Sequence, residues 1–248
     1  MADITGIPLI SDTDLYKSNA VASSVYSVGD LVMGTKGRMY RYALAGAAAL
    51  VKGNVLQESA ENTTMENMAV GTAGVVADKY LQITNGTSTI TSAQFVGGTI
   101  GVYTAGTVTV ADEYVITKIT GTLTTGGALK VWLDRPLRYA YTTSATVNMK
   151  RSPWSGVIQF PVTTPTGMPV GVAIYEIPLE EYGFVQTHGE CTVLSDNSTF
   201  AVGSAVGTPA DAAGACGVYD AATTYASIGI ARQAKASAKG IAVFLHID

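Results

Sequence analysis

Charged residues are scarce in this sequence: lysine, arginine, aspartate and glutamate together make up 14% of its 248 residues, against about 25% in an average soluble domain. Part of the surface is therefore expected to be covered by other subunits. The formal net charge is −4, and the basic residues are scattered apart from the pair Lys150–Arg151. Because binding to nucleic-acid phosphates needs clustered lysine and arginine, no nucleic-acid partner is predicted.

Long hydrophobic runs and a positively charged leader are also missing. The longest apolar run, residues 43–51, has about half the length that crosses a bilayer as a helix. An acidic residue, Asp3, stands where an export signal would carry positive charge, and Gly6 and Pro8 interrupt the apolar residues around them. We expect no membrane partner and no export signal, and therefore synthesis in the cytoplasm.

Cysteine and histidine, which serve most often as metal ligands and catalytic groups, occur only twice each. Cys191 and Cys216 lack a CxxC or Cys/His spacing; two buried thiols are expected, with a disulfide across neighbouring strands as the alternative. His188 and His246 are expected in strands, and no Gly-x-Ser-x-Gly motif supplies a nucleophile. The sequence predicts no catalytic residue, no metal site and no cofactor.

Two pairs of adjacent carboxylates, Asp112–Glu113 and Glu180–Glu181, remain as candidates for the acid–base chemistry of a glycosidase. Neighbouring residues of a strand point to opposite faces, so the two members of a pair would not share a site. We interpret both pairs as solvated strand ends or subunit contacts. The chain is therefore not expected to be an enzyme.

Short β-prone runs are the dominant feature that is present. Examples are the runs 80–84, 99–103, 113–119 and 128–133, which are rich in Val, Ile, Thr and Tyr and are separated by Gly, Asn or Asp. Alternation of apolar and polar residues indicates strands with one buried face. The predicted fold is all-β, made of antiparallel β-barrel or β-sandwich modules with at most one or two short helices, for which 44–51 and 64–70 are the best candidates.

A proline-rich, irregular segment over residues 152–169 indicates a domain boundary near residue 150. Residues 1–150 are predicted to form an N-terminal arm followed by a hairpin-rich β domain, and residues 151–248 a small β-barrel-like domain. The arm, residues 2–16, is polar and is broken by Gly6 and Pro8. We expect it to lie across a neighbouring subunit and to be dispensable for the folded core.

Several glycine-containing motifs in the last third of the chain form a pattern of their own. They are Gly183-Phe-Val-Gln-Thr-His-Gly, Thr199-Phe-Ala-Val-Gly-Ser-Ala-Val, Ile228-Gly-Ile-Ala and Ile241-Ala-Val-Phe-Leu. This succession resembles the small head-decoration, or cement, proteins of tailed bacteriophages. The segment that begins Tyr26-Ser-Val-Gly-Asp-Leu-Val is similar to the opening of larger phage head proteins. Together these regions cover about half of the chain.

The resemblance implies a structural protein of the virion that binds the outside of an assembled capsid and stabilises it. Its partners would be the major capsid protein and further copies of itself, in a homotrimer. A tail or host-surface-binding protein of the virion is the first alternative, although no repeats or coiled-coil stalk are present. A small-ligand-binding or enzymatic β-barrel is the second.

Tyrosine is the one residue type whose enrichment suggests an interface: the chain has 13, and tyrosine combines contact area with a hydrogen bond at low entropic cost. The candidate interface residues are Tyr16, Tyr139, Tyr141 and Trp154. The alternative is that these aromatic side chains fill the interior of a barrel.

Overall fold

The structure is a computed structural model that describes residues 6–104, 109–196, 198–208, 211–220, 226–235 and 240–248. The chain divides into two compact units. The split unit consists of Met1–Ala60 and Pro153–Asp248, and the inserted unit consists of Glu61–Ser152.

The elements are short and are almost all strands. In chain order they are α1 (Asp12–Leu15), β1 (Leu31–Met33), a 3-10 turn (Thr35–Gly37), β2 (Met39–Ala45), β3 (Val55–Gln57), a 3-10 turn (Thr63–Met65), β4 (Met68–Thr72), β5 (Tyr80–Thr84), α2 (Ser92–Phe95), β6 (Thr99–Thr104), β7 (Thr109–Gly121), β8 (Ala128–Leu133), β9 (Thr146–Lys150), β10 (Ser155–Gln159), β11 (Pro169–Ala173), β12 (Tyr182–Leu194), β13 (Ala205–Thr208), β14 (Gly217–Val218), β15 (Ala226–Ala231) and β16 (Gly240–His246).

The inserted unit is a closed barrel of six antiparallel strands in the order β4-β5-β8-β7-β6-β9. Alternating residues of each strand point inward, as in β5, where Leu81 and Ile83 are buried and Gln82 faces outward. The strands fill the interior with Met68, Val70, Leu81, Ile83, Ile100, Val102, Tyr114, Ile116, Ile119, Leu129, Val131, Val147 and Met149. Closure satisfies the backbone of every strand and removes free sheet edges.

The split unit is built on one sheet of ten strands that also closes on itself. Strands β2, β10, β3, β11 and β12 form a ring, because β12 pairs with both β11 and β2. Only the β2–β10 pair of this ring is parallel. Beyond the ring, the sheet continues from β12 through β16, β15 and β13 to β14.

Strand β12 serves both parts of this sheet because it contains a bulge. Its register with β2 shifts between Gln186 and His188, and its pairing with β16 runs from His188 to Leu194. Gly189 has a φ of +89°, a value that favours glycine. The bulge thus bends one strand from the ring into the open part of the sheet.

The all-β fold predicted from the sequence is confirmed, with two short helices. The helix candidates at 44–51 and 64–70 were wrong, since the helices are α1 and α2. Residues 44–45 belong to β2 instead, and a Cβ on Gly46 would lie 2.9 Å from the Gly156 carbonyl oxygen. Ala45 and Leu50 of this run are buried, whereas Ala47, Ala48 and Val51 are exposed. A short apolar run does not by its spacing distinguish a helix from a strand and the loop that follows it.

The two units differ from the predicted domains. The predicted boundary near residue 150 lies close to the end of the inserted unit at Ser152, but residues 1–60 group with residues 153–248. Strand pairing is the cause, since β2 pairs with β10 and β12, which follow it by more than 100 residues. A strand pattern shows which face is buried and carries no information about so distant a partner.

The predicted N-terminal arm packs onto its own unit over the part that the structure describes. Ile10 and Leu15 are 7% and 1% exposed and belong to the core of the split unit. The Ile10 N–H donates to the Met33 carbonyl (2.9 Å), and the Ser11 hydroxyl caps α1 by accepting from the Asp14 N–H (3.1 Å). The expectation that this arm is dispensable for the folded core is thereby corrected for residues 6–16, while residues 2–5 lie outside the described residues.

Candidate interaction surface

The four predicted interface residues differ in exposure. Tyr16 and Tyr139 are 50% and 54% exposed, Trp154 is half-buried, and Tyr141 is 1% exposed. Tyr16 and Trp154 belong to the split unit, and Tyr139 and Tyr141 to the inserted unit.

Tyr141 belongs to the core of the barrel unit and cannot contact a partner. It packs with the other core side chains of that unit, and burial raises the pKa of its hydroxyl. Its backbone forms a bridge with Gly74. The alternative interpretation, that some of the aromatic residues fill a barrel, holds for this tyrosine.

Trp154 is held by contacts within its own unit. Its indole N–H donates to the Val170 carbonyl (3.3 Å), and its ring packs against a buried apolar cluster. The Arg41 guanidinium lies 4.6 Å from the ring centroid and forms an ion pair with Asp248 (2.6 Å). These contacts give Trp154 a structural role and leave only part of its surface to a partner.

Tyr139 and two exposed valines stand on two loops that are hydrogen-bonded to each other. The Ala77 N–H donates to the Leu137 carbonyl (2.9 Å), and the Leu137 N–H donates to the Asp78 carbonyl (2.8 Å). These bonds place the loop of Val75 and Val76, which are 62% and 55% exposed, against the loop of Tyr139. We call Val75, Val76 and Tyr139 the Val–Tyr patch.

This patch concentrates the exposed apolar side chains of the inserted unit. Five large hydrophobic residues of that unit are exposed in its described part: Val75, Val76, Val96, Val115 and Tyr139. Three of the five form the patch. Exposed apolar residues are normal when scattered, whereas a cluster indicates an interaction site.

Two arginines precede Tyr139 in its loop and share one buried carboxylate. Asp112, 9% exposed, accepts from Arg135 (3.2 Å) and lies 3.9 Å from the guanidinium of Arg138. The Tyr114 hydroxyl also donates to Asp112 (2.9 Å) and accepts from the Arg138 backbone N–H (3.1 Å). Asp134 directly precedes Arg135 and Asp78 lies in the neighbouring loop, so carboxylates balance the two guanidinium charges at this end of the barrel. Arginine and tyrosine are the side chains most enriched at binding hot spots.

A second apolar surface crosses the open part of the split unit's sheet. Ile230 of β15 lies opposite Phe244 of β16 and Ala205 of β13 in the strand register. Ile230 and Phe244 are 45% and 38% exposed, and Ala205 is exposed. The His188 ring packs edge-on against Phe244 at 5.3 Å. We call Ala205, Ile230 and Phe244 the Phe–Ile row.

The groups considered for catalysis are dispersed. Asp112 is buried and Glu113 is exposed, so this acidic pair does face opposite sides of its strand. His188 and His246 are cross-strand partners. Cys191 and Cys216 are free and buried, and burial raises the pKa of each thiol to about 12. Within the described ranges, no three His, Cys, Asp or Glu side chains are grouped as a metal site would require.

Comparison of this chain with protein-family models, with curated proteins and with solved structures finds no match. In the part of the chain that the structure describes, no helix has both the length and the apolarity needed to cross a membrane.

Sequence reasoning found Tyr139 but missed its apolar neighbours. Val75 and Val76 stand in Gly74-Val-Val-Ala-Asp78, next to a strand that begins at Tyr80. Two consecutive β-branched residues in a turn would have been the signal, because turns favour Gly, Asn, Asp, Ser and Pro. No comparable signal marks the Phe–Ile row, whose members come from three strands.

Proposed function

We propose that this protein is a head-decoration protein of a tailed bacteriophage, which binds the outside of the assembled capsid and stabilises it. The segments that carry the resemblance support this assignment. Strands β12, β16, β15 and β13, which contain or directly adjoin those motifs, are consecutive neighbours in one sheet.

The observation that carries the proposal is the Val–Tyr patch beside two arginines at one end of a closed barrel. A closed barrel offers no strand edge for pairing, so a partner must be bound through side chains. The patch supplies apolar area and a tyrosine hydroxyl, and Arg135 and Arg138 stand in the same loop as Tyr139. A capsid repeats its surface many times, and an oligomer bound at several positions gains avidity without a single strong contact.

Replacement of the patch is expected to abolish capsid attachment. The double variant Val76→Ser, Tyr139→Ser removes apolar contact area without touching the barrel interior, since both side chains are more than half exposed. The probe is empty heads assembled from the major capsid protein of the same genome, mixed with the purified chain and sedimented. We expect at least a tenfold loss of occupancy, which corresponds to about 1.4 kcal/mol.

The matched control is Val96→Ser, which removes an exposed valine of the same unit outside the patch and should leave occupancy unchanged. Equal occupancy for the double variant and the wild type would contradict the patch as the capsid contact. Absence of wild-type binding to heads, together with binding to bacterial surfaces, would support the host-surface alternative instead.

The purified chain is expected to be a homotrimer in which the Phe–Ile row contacts another copy. Light scattering should give a mass of three times 25.7 kDa, and Phe244→Ser should shift the protein to the monomer. The interfaces of a cyclic trimer are heterologous, so the row of one copy would pack against a different surface of the next copy.

Val202→Ser is the control for this variant, because Val202 is 68% exposed and lies outside the row. A single monomeric species of the wild type at every concentration would contradict the trimer. A trimer that Phe244→Ser leaves intact would contradict the row as its contact.

A further inference from the structure

The split unit contains a cavity of about 190 Å³ on the outside of the bulge in β12. Its lining includes the side chains of Tyr16, Arg38, Lys52, Gln186, Glu190 and Cys191. A water molecule occupies roughly 30 Å³ of liquid, so this space holds a small ion or a molecule of a few heavy atoms. The Val–Tyr patch and the Phe–Ile row contribute no residue to it.

Arg38 reaches this cavity because the bulge leaves room for it. It follows the 3-10 turn Thr35–Gly37 and directly precedes β2. A Cβ on Gly189 would lie 3.2 Å from the Arg38 Cγ, so the glycine lets the arginine stem lie against the backbone of β12. Gln186 fixes the bulge by donating to the carbonyls of His188 and Glu190, each at 3.0 Å.

Lys52 is placed by a turn that is bonded to two strands. The Gly53 N–H donates to the Ala173 carbonyl at the end of β11, and the Leu194 N–H of β12 donates to the Gly53 carbonyl, both at 2.7 Å. The position of Lys52 at the cavity is therefore set by the sheet itself.

The two positive charges at the cavity are only partly balanced by the protein. In the described part of the chain neither Arg38 nor Lys52 forms an ion pair, whereas Lys17 and Arg41 of the same unit pair with Asp14 and Asp248. The Nε of Arg38 is buried and has no hydrogen-bond partner. Leaving a charged donor buried without an acceptor costs free energy.

The rest of the lining adds little negative charge. Glu190 is the single carboxylate beside the two cations, and its side chain is exposed. Burial raises the pKa of the Cys191 thiol to about 12, so this thiol is neutral at pH 7. The cavity thus has a net positive lining, although the split unit as a whole contains 13 acidic and 8 basic residues.

We propose that this cavity binds a small anion, a phosphate or a carboxylate, through the guanidinium of Arg38, the ammonium of Lys52 and the hydroxyl of Tyr16. Arginine offers several N–H donors in a plane that matches both kinds of oxyanion. The anion supplies the acceptor that the Nε of Arg38 lacks. This inference is independent of the proposed function, because binding is measured on the purified chain without capsids.

The test is titration of the purified chain with inorganic phosphate and, separately, with acetate, against chloride at constant ionic strength. Binding is followed by the NMR signal of the Arg38 Nε–H and by the rise in melting temperature that ligand binding causes. Arg38→Gln is expected to weaken binding at least tenfold and Lys52→Gln several-fold. Lys36→Gln, an exposed lysine in the adjacent turn outside the cavity, is the matched control and should bind as the wild type does.

The two anions separate the possible ligand classes: phosphate binding alone indicates a phosphate ligand, and tighter acetate binding indicates a carboxylate. An unshifted Arg38 signal with both anions at tens of millimolar would overturn the proposal. If Lys36→Gln and Lys52→Gln weakened anion binding equally, the proposal would also be overturned. The affinity would then depend on the net charge of the chain and not on the cavity. Lys52→Gln also covers the case in which Arg38→Gln fails to fold, since Lys52 is exposed.

Discussion

Replacing Tyr141 by alanine is expected to lower the free energy of unfolding by about 3–5 kcal/mol, the range for loss of a buried aromatic ring. This ring is 1% exposed and packs within the core of the inserted unit. Tyr139 is 54% exposed, and Tyr139→Ala is expected to change the same free energy by at most about 0.5 kcal/mol. Urea denaturation of both variants, followed by circular dichroism and tryptophan fluorescence, measures the two values.

Tyr141→Phe is the matched control for the barrel variant. It keeps the ring and removes a hydroxyl that is buried without a hydrogen bond of normal geometry, so its stability should stay close to that of the wild type. If Tyr139→Ala cost as much as Tyr141→Ala, the placement of one ring outside and the other inside the unit would be contradicted.

These two tyrosines show how far the sequence could be interpreted. Both were named as candidate interface residues because tyrosine is enriched in the chain, a property that does not separate exposed from buried rings. Residues 134–140 form bends instead of a strand, and only Tyr141 is fixed by a bridge, to Gly74. The chain direction changes between the two side chains, which places one in the core and the other in solvent.

The strands themselves were predictable from local patterns. The run 80–84 forms β5 and the run 128–133 forms β8, and in both the alternating apolar residues are buried. Their pairing with each other was not predictable, because α2, β6 and β7 lie between them in sequence. The residues of a strand determine which of its faces is buried. Which strand it pairs with is determined by the closure of the barrel.

The candidate surfaces were less predictable than the fold, for a related reason. The Phe–Ile row joins side chains of β13, β15 and β16. The cavity near the bulge of β12 joins Arg38 with residues of β12. Each residue is unremarkable in its own segment. Their association depends on register across a sheet, and register in glycine-rich strands is weakly specified by sequence.

Raising the pH from about 8 to about 10 is expected to destabilise the protein by up to about 3 kcal/mol through its two buried thiols. Burial raises the pKa of Cys191 and of Cys216 from about 9 to about 12 in the folded state. Between these values the unfolded chain loses both protons while the folded chain keeps them, so stability falls as the pH rises. Each thiol can contribute at most about 1.4 kcal/mol per pH unit in this window. Urea denaturation at intervals across the window measures the slope.

Removal of the thiols should flatten this pH dependence. In the double variant Cys191→Ala, Cys216→Ala the stability at neutral pH falls, because two buried side chains are shortened, but the alkaline slope should become much shallower. Above pH 10 a slope remains even in this variant, because burial also raises the pKa of five tyrosines: Tyr40, Tyr42, Tyr114, Tyr141 and Tyr175. Val193→Ala is the matched control: this residue of β12 is fully buried and does not ionise, so it should lower stability and keep the slope. A slope unchanged by loss of both thiols would show that other groups cause the alkaline unfolding.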